Sequence, residues 1–220
     1  MERKIGVIFD MDGVLVENSD VHEATWLMMF KKFGKDISKE EVRGIFGATN
    51  KTFIERFLGI TDEKRINEIA EEKEALYREN FAKSIKAPEG LMTLLFTLKK
   101  NNVRMAVTTS APRANLNFVL DALDIRSFFD VLVDETFVKH AKPNPEIYTV
   151  TASKLNIEAE SCIVIEDSIF GIQAGLAAGM KVIGITTTLP EDKINFADHI
   201  IHSFNEIGFE QIEQLLMTND

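Results

Sequence analysis

Apolar residues along the chain fall into two kinds of run. Short blocks rich in β-branched residues, Lys4–Phe9, Val103–Thr109, Phe129–Val133, Cys162–Ile165, Lys181–Ile185 and Ile200–Ile201, predict strands. Between them, apolar positions three and four apart predict helices over Pro112–Leu123, Pro145–Leu155, Ile169–Ala178 and Asn205–Leu216. Leu116, Val119, Leu120 and Leu123 share one face of the first of these. Strands alternating with helices mean βαβ units and a parallel sheet, and the apolar runs mean strands covered on both faces.

The first two strands break that rhythm. Val103 lies far beyond Phe9, whereas a βαβ unit needs only about 30 residues. The surplus reads as helical. Ser19–Phe33 carries Val21, Trp26, Met29, Phe30 and Phe33 on one face. Ser38-Lys39-Glu40-Glu41 has Ser at an N-cap and Glu at N3, the pattern of a capping box. Asn50–Leu58 follows, and Thr61-Asp62-Glu63-Lys64 opens a long helix to about Ala82. The expected fold is therefore α/β: a Rossmann-like parallel-sheet core (residues 1–17 and 87–220) with an inserted α-helical cap (18–86). The polar linkers Glu17-Asn18-Ser19 and Ser84–Pro88 join the two. Paired linkers make a hinge, and an insertion at the C-terminal edge of a sheet makes a lid.

Composition narrows the function classes. The 220 residues are 45% hydrophobic and 27% charged, enough for a large core. A net charge of −10 argues against nucleic-acid and anionic-membrane partners, but leaves room for an anionic substrate at a locally positive site. The single cysteine, Cys162, excludes an intramolecular disulfide and a Cys-rich zinc site; in an apolar run, it is expected to be a buried, inert thiol. No apolar run approaches the ~18 residues of a membrane span. The segment after Met1-Glu2-Arg3-Lys4-Ile5 is too short for a secretory signal core. A cytoplasmic monomer is expected.

Four segments carry chemistry. Asp10 and Asp12, in Phe9-Asp10-Met11-Asp12-Gly13-Val14-Leu15, follow a strand two residues apart, so both carboxylates can converge above the sheet edge. Paired carboxylates repel unless a cation intervenes, and Mg²⁺ is the natural hard guest; a solvated Asx-turn is the plainer alternative. Glu166-Asp167-Ser168 ends another apolar strand, where Ser168 can cap the following helix. Gly171, Gly175 and Gly179 in that helix form a close-packing stripe rather than a dinucleotide loop. Thr108-Thr109-Ser110, ahead of Pro112, suits a phosphate oxygen. Ala141-Lys142-Pro143-Asn144-Pro145 stiffens a loop around one cation. Singly, each also has a plainer reading as capping or a solvated surface. Jointly, on one sheet edge, they assemble a metal, cations and hydroxyls around a phosphoryl group and leave an aspartate free to attack it.

With these residues in this order, the sequence resembles the haloacid dehalogenase superfamily. It resembles most the helical-cap group that contains β-phosphoglucomutase and small sugar-phosphate phosphatases. The resemblance implies Asp10 as nucleophile and Asp12 as general acid and base. It implies Mg²⁺ on Asp10, the Asp12 backbone carbonyl and Asp167, with Glu166 as ligand or support. Thr109, Ser110 and Lys142 would hold the phosphoryl oxygens. His22 and the cap loop Gly47-Ala48-Thr49-Asn50-Lys51 would meet the leaving group. Asn50 stands where the mutase has an arginine for the distal phosphate, Pro112 where it has a lysine, and Glu17 replaces a common aspartate. The expected activity is thus Mg²⁺-dependent hydrolysis of a small phosphorylated metabolite. A phosphosugar mutase and a non-catalytic phosphate-binding module are the alternatives.

Overall fold

The structure, a computed structural model, describes residues 4–217. Six parallel strands lie in the order β3-β2-β1-β4-β5-β6. They are β1 Gly6–Asp10, β2 Arg104–Thr108, β3 Val131–Val133, β4 Cys162–Glu166, β5 Lys181–Ile185 and β6 His199–Ile201. The alternation of side chains divides the core between the two faces of this sheet. Val7, Phe9, Met105, Val107, Ile163 and Ile165 join one buried cluster, and Ile8, Ala106, Cys162, Val164 and Val182 the other. Cys162 is fully buried, and burial pushes its thiol up to about 12, as expected of an inert cysteine.

Between β1 and β2 the chain forms α1 (Ser19–Lys32), α2 (Lys39–Arg43), α3 (Asn50–Leu58), α4 (Glu63–Phe81) and α5 (Leu91–Lys100). Helices α1–α4 bury a cluster of their own around Trp26, Met29, Phe30, Phe53, Ile54 and Ile69, with Trp26 stacked between Phe30 and Phe53. The capping box at Ser38 is present, and Thr49 and Asp62 cap α3 and α4. The C-terminal half of α4 leaves this cluster: Tyr77 and Phe81 pack with Val14, Leu15 and Leu91 on the sheet side. Beyond β2 come α6 (Arg113–Ala122), α7 (Glu146–Leu155), α8 (Ile169–Ala177), the short α9 (Glu191–Ile194) and α10 (Phe209–Met217). Among the described residues, no helix is long and apolar enough to cross a membrane.

Three details depart from the sequence pattern. Helix α5, an amphipathic run burying Leu91, Leu94, Leu95 and Leu98, stands in a segment to which the pattern assigns no helix. The closing helix starts only at Phe209, because Phe204–Glu206 forms a separate 3₁₀ turn and Ile207-Gly208 intervenes. Gly179 is not part of a packing stripe. At φ +75° it ends α8: its N–H donates to Leu176 and that of Met180 to Gly175, a Schellman arrangement.

Candidate active site

The chain runs β1→β2→β3 to one side of β1 and β4→β5→β6 to the other, so the strand order reverses between β1 and β4. Open α/β sheets bind ligands at the C-terminal ends of such strands. Asp10 is the last residue of β1, in register with Thr108. The turn after it is tight: the Leu15 N–H donates to Met11 and the Gly13 N–H to Val16, both at 2.8 Å. Gly13 has φ +78°, and a Cβ there would lie 1.8 Å from Asp167 Oδ2. No L side chain fits this conformation next to that carboxylate.

Glu166, the last residue of β4, is fully buried and saturated with donors. Lys142 Nζ (2.6 Å) and the Tyr148 hydroxyl (2.8 Å) donate to Oε1. The N–H groups of Asp167 and Ser168 and the Ser168 hydroxyl donate to Oε2, each at 3.0 Å. Ser168 also caps α8 by accepting from the Gly171 N–H. A Cβ on Gly171 would lie 1.7 Å from Glu166 Oε1, so this glycine clears space for the carboxylate, whereas Gly175 packs on Val182 and Val164. The buried Lys142 spans the gap between strands, donating to Asp10 Oδ1 at 2.5 Å as well as to Glu166.

Asp10, Glu166 and Asp167 each bring an oxygen within 4.8 Å of the others. Burial is the largest influence on all three. It pushes Asp10 up to about 8 against the pull of Lys142, with Glu166 and Asp12 adding to the rise. It raises Asp167 well above the carboxylate range, reinforced by Glu166 and Asp10. For Glu166, Lys142 and the donor set outweigh burial and hold it below its usual value. Lys142 stays charged, since Asp10 and Glu166 outweigh its own burial. Once ionised, three buried carboxylates around one ammonium carry an excess of negative charge, a donor set that fits a hard divalent cation.

Asp12 faces the helical insertion. Asn18 Nδ2 donates to its Oδ1 at 2.6 Å, His22 Nε2 lies 3.4 Å from the same oxygen, and the Thr109 hydroxyl donates to Oδ2 at 3.3 Å. Burial pushes Asp12 up, but His22, Asn18 and the charge of Lys73 outweigh it and hold the group below its usual value. Lys73 Nζ lies 2.9 Å from His22 Nδ1. An ammonium can only donate, so Nδ1 is the bare nitrogen and Nε2–H points at Asp12. His22 stacks on Tyr77 at 4.0 Å, and Asn18 donates to the Tyr77 hydroxyl as well.

The remaining expected residues divide. Ser110 and Asn50 line the cavity with Asp10 and Asp12, as does Gly47, whose added Cβ would stand 2.9 Å from the Ser168 hydroxyl. Thr49 serves as the N-cap of α3. Lys51 is turned onto Glu63, with Glu55 at 3.8 Å, and lines an outer groove rather than this cavity. Arg113, which follows Pro112 and is not among the expected residues, pairs with the buried Asp134. Four participants escape the sequence reading: Lys73 and Glu74 on α4, Tyr148 on α7, and Thr188, which hydrogen-bonds Asp167 and Ser19. Each is an ordinary helical or loop residue with at least one partner far away in the sequence, as His22 is for Lys73 and Asn115 for Glu74. None of the four carries a local signal of its own.

Comparison with known proteins agrees with this geometry. The family model described as haloacid dehalogenase-like hydrolase matches residues 7–185. A phosphorylated carbohydrates phosphatase of Thermotoga maritima is 31% identical over 193 residues, 85% of this chain and 88% of its own. A family IA hydrolase from Entamoeba histolytica superposes with a TM-score of 0.89 at 33% identity, covering 97% of this chain and all of its own. A β-phosphoglucomutase from Clostridium difficile superposes at 0.86 with 28% identity, covering 97% of each.

Proposed function

The chain belongs to the haloacid dehalogenase-like hydrolases, and on that premise we propose that it is a Mg²⁺-dependent phosphatase of small phosphorylated metabolites, sugar phosphates foremost. The observation that carries this reading is the convergence of Asp10, Asp12, Lys142 and Asp167 on one cavity roofed by α1, α3 and α4. Residues 18–86 act as the lid.

An oxygen of Asp10 attacks phosphorus, forming an aspartyl-phosphate as the bond to the leaving oxygen breaks. Asp12 gives that oxygen its proton, then takes one from the water that hydrolyses the intermediate. The donors around Asp12 favour its carboxylate, the form needed as base; an incoming phosphate dianion pushes the other way, toward the acid. Lys142 neutralises phosphoryl charge, and Thr109 and Ser110 hold phosphoryl oxygens. Asp10, the Asp12 carbonyl and Asp167 would hold Mg²⁺, which supplies further charge neutralisation. Glu166, with both oxygens already engaged, positions Lys142.

Hydrolase and mutase differ in what the lid holds. A mutase must grip a bisphosphate at both ends, and here Asn50, at the arginine's position, donates to Glu74 instead. The deciding measurement supplies β-glucose 1-phosphate with catalytic glucose 1,6-bisphosphate. Phosphate release without isomerisation is expected; glucose 6-phosphate forming faster than free phosphate would overturn the reading in favour of the mutase.

A further inference from the structure

The lid carries a buried carboxylate that catalysis does not use. Glu74, on α4, is 4% exposed and lines the cavity. Its Oε1 accepts from Lys73 Nζ and Asn50 Nδ2, both at 2.8 Å, and its Oε2 accepts from Asn115 Nδ2 at 2.6 Å. Burial pushes the group up, but Lys73, His22 and the hydrogen bonds from Lys73 and Asn115 outweigh it and hold the group below its usual value. A carboxylate has about four acceptor positions, and Oε2 has one donor here, so it can accept one more hydrogen bond.

Apart from Lys73, which pairs with Oε1 of Glu74, the neighbouring cations are turned to other partners, and among the described residues Oε2 is met only by an amide. Lys73 is spent on Glu74 and His22. Lys142 is held by Asp10 and Glu166, Lys51 by Glu63, and Arg113 by Asp134. Arg78 donates to Asn115 Oδ1 from the outer groove and is absent from the cavity wall. Glu135 adds a further acid to the groove side, near enough to Glu74 to feel its charge. A group entering the lid end of the cavity therefore meets Glu74, the amide of Asn50 and Lys73, whose ammonium is already engaged by Glu74 and His22.

We propose that Glu74 determines specificity: its carboxylate accepts a hydroxyl of the leaving group and repels a second phosphate, confining the enzyme to monophosphates of polyhydroxylated compounds. This rests on the phosphatase reading for the orientation of the substrate, phosphoryl group at Asp10 and leaving group under α4. Like charges brought together in a desolvated site discriminate strongly between partners.

The test compares fructose 1-phosphate with fructose 1,6-bisphosphate, which share the proximal phosphate and differ in hydroxyl against phosphate at the far end. Binding is measured by titration calorimetry on Asp10→Asn protein, so the result does not depend on turnover. The phosphatase reading is tested separately, by phosphate release from p-nitrophenyl phosphate with the wild-type enzyme. The monophosphate is expected to bind at least about tenfold more tightly. Adding Glu74→Gln should shrink that preference by about tenfold or more, and Glu74→Asp, which keeps the charge, should retain most of it. Equal binding of the two ligands would overturn the proposal. So would a preference that survives Glu74→Gln, or one that Glu74→Asp abolishes as completely as Glu74→Gln does. Circular dichroism verifies that each variant is folded.

Discussion

Asp10 is in contact with both Lys142 and the cavity, which makes it the most informative single residue. Asp10→Asn changes one atom and keeps the shape, so the fold should persist while phosphate release falls by at least about a thousandfold, as expected when a covalent nucleophile is lost. Activity within tenfold of wild type would contradict its role. Its titration gives an independent measurement. The Asp10 pKa of about 8 in the metal-free fold lies above the unfolded value of 3.8. The native state therefore holds this proton more tightly, and the group's contribution to stability declines as pH rises between those two values. A bound cation displaces the proton, which is costly at low pH and free once the proton is gone. The rise in Tm on replacing EDTA by Mg²⁺ should thus be larger near pH 8 than near pH 6. Scanning calorimetry reads this directly, and an equal or reversed shift would argue against a cation on Asp10.

Helix α8 shows how one element serves both packing and chemistry. Gly171 faces Glu166, whereas Gly175 faces Val182 and Val164. Alanine at either position should cost about 1–3 kcal/mol by overpacking. The two variants should part in activity. Gly171→Ala displaces Glu166, and with it Lys142, so kcat should fall at least about tenfold. Gly175→Ala should stay close to wild type at a temperature where both are folded. Thermal melts with steady-state kinetics on the pair make the check. The stripe of glycines was visible in the sequence, but their separate duties were not, because spacing along a helix does not reveal what stands opposite. The same limit explains the other gaps. Strand ends bearing Asp10, Asp12, Glu166 and Asp167 are legible because an apolar run that stops at acids is a local pattern. Lys73 and Glu74 sit in a charge-rich helix among many similar residues, and only the tertiary fold separates the two buried ones from their solvated neighbours. Lys51, equally charged and closer to the expected loop, turns outward to Glu63.

On the scale of the whole molecule, the proposed lid meets the core through the packing of Tyr77 and Phe81 and through polar bridges. Asn115, from α6 of the core, donates to Glu74 and accepts from Arg78, both on α4. Asn18, where the lid leaves the core, holds Asp12 and Tyr77 and accepts from the Gly13 N–H. Removing the first bridge should loosen closure without touching the groups around phosphorus. Asn115→Ala is expected to raise KM severalfold more than it lowers kcat, and to speed proteolytic nicking at Ser84–Pro88. Unchanged KM and unchanged nicking would show that closure does not depend on this contact.

The position of β1 has a consequence in time as well as in space. The strand that bears Asp10 is central, and its neighbours come late: Gly6 pairs with Arg104 on one side and Cys162 on the other. During synthesis, β1 has no partner until the whole helical insertion and α5 have followed it, and its second partner comes later still. Helices α1–α4, by contrast, draw their buried cluster from a single stretch of chain. Local contacts form faster than distant ones. Helices α1–α4 are thus placed to fold first on the ribosome, while Asp10 waits on an unpaired strand for the rest of its sheet.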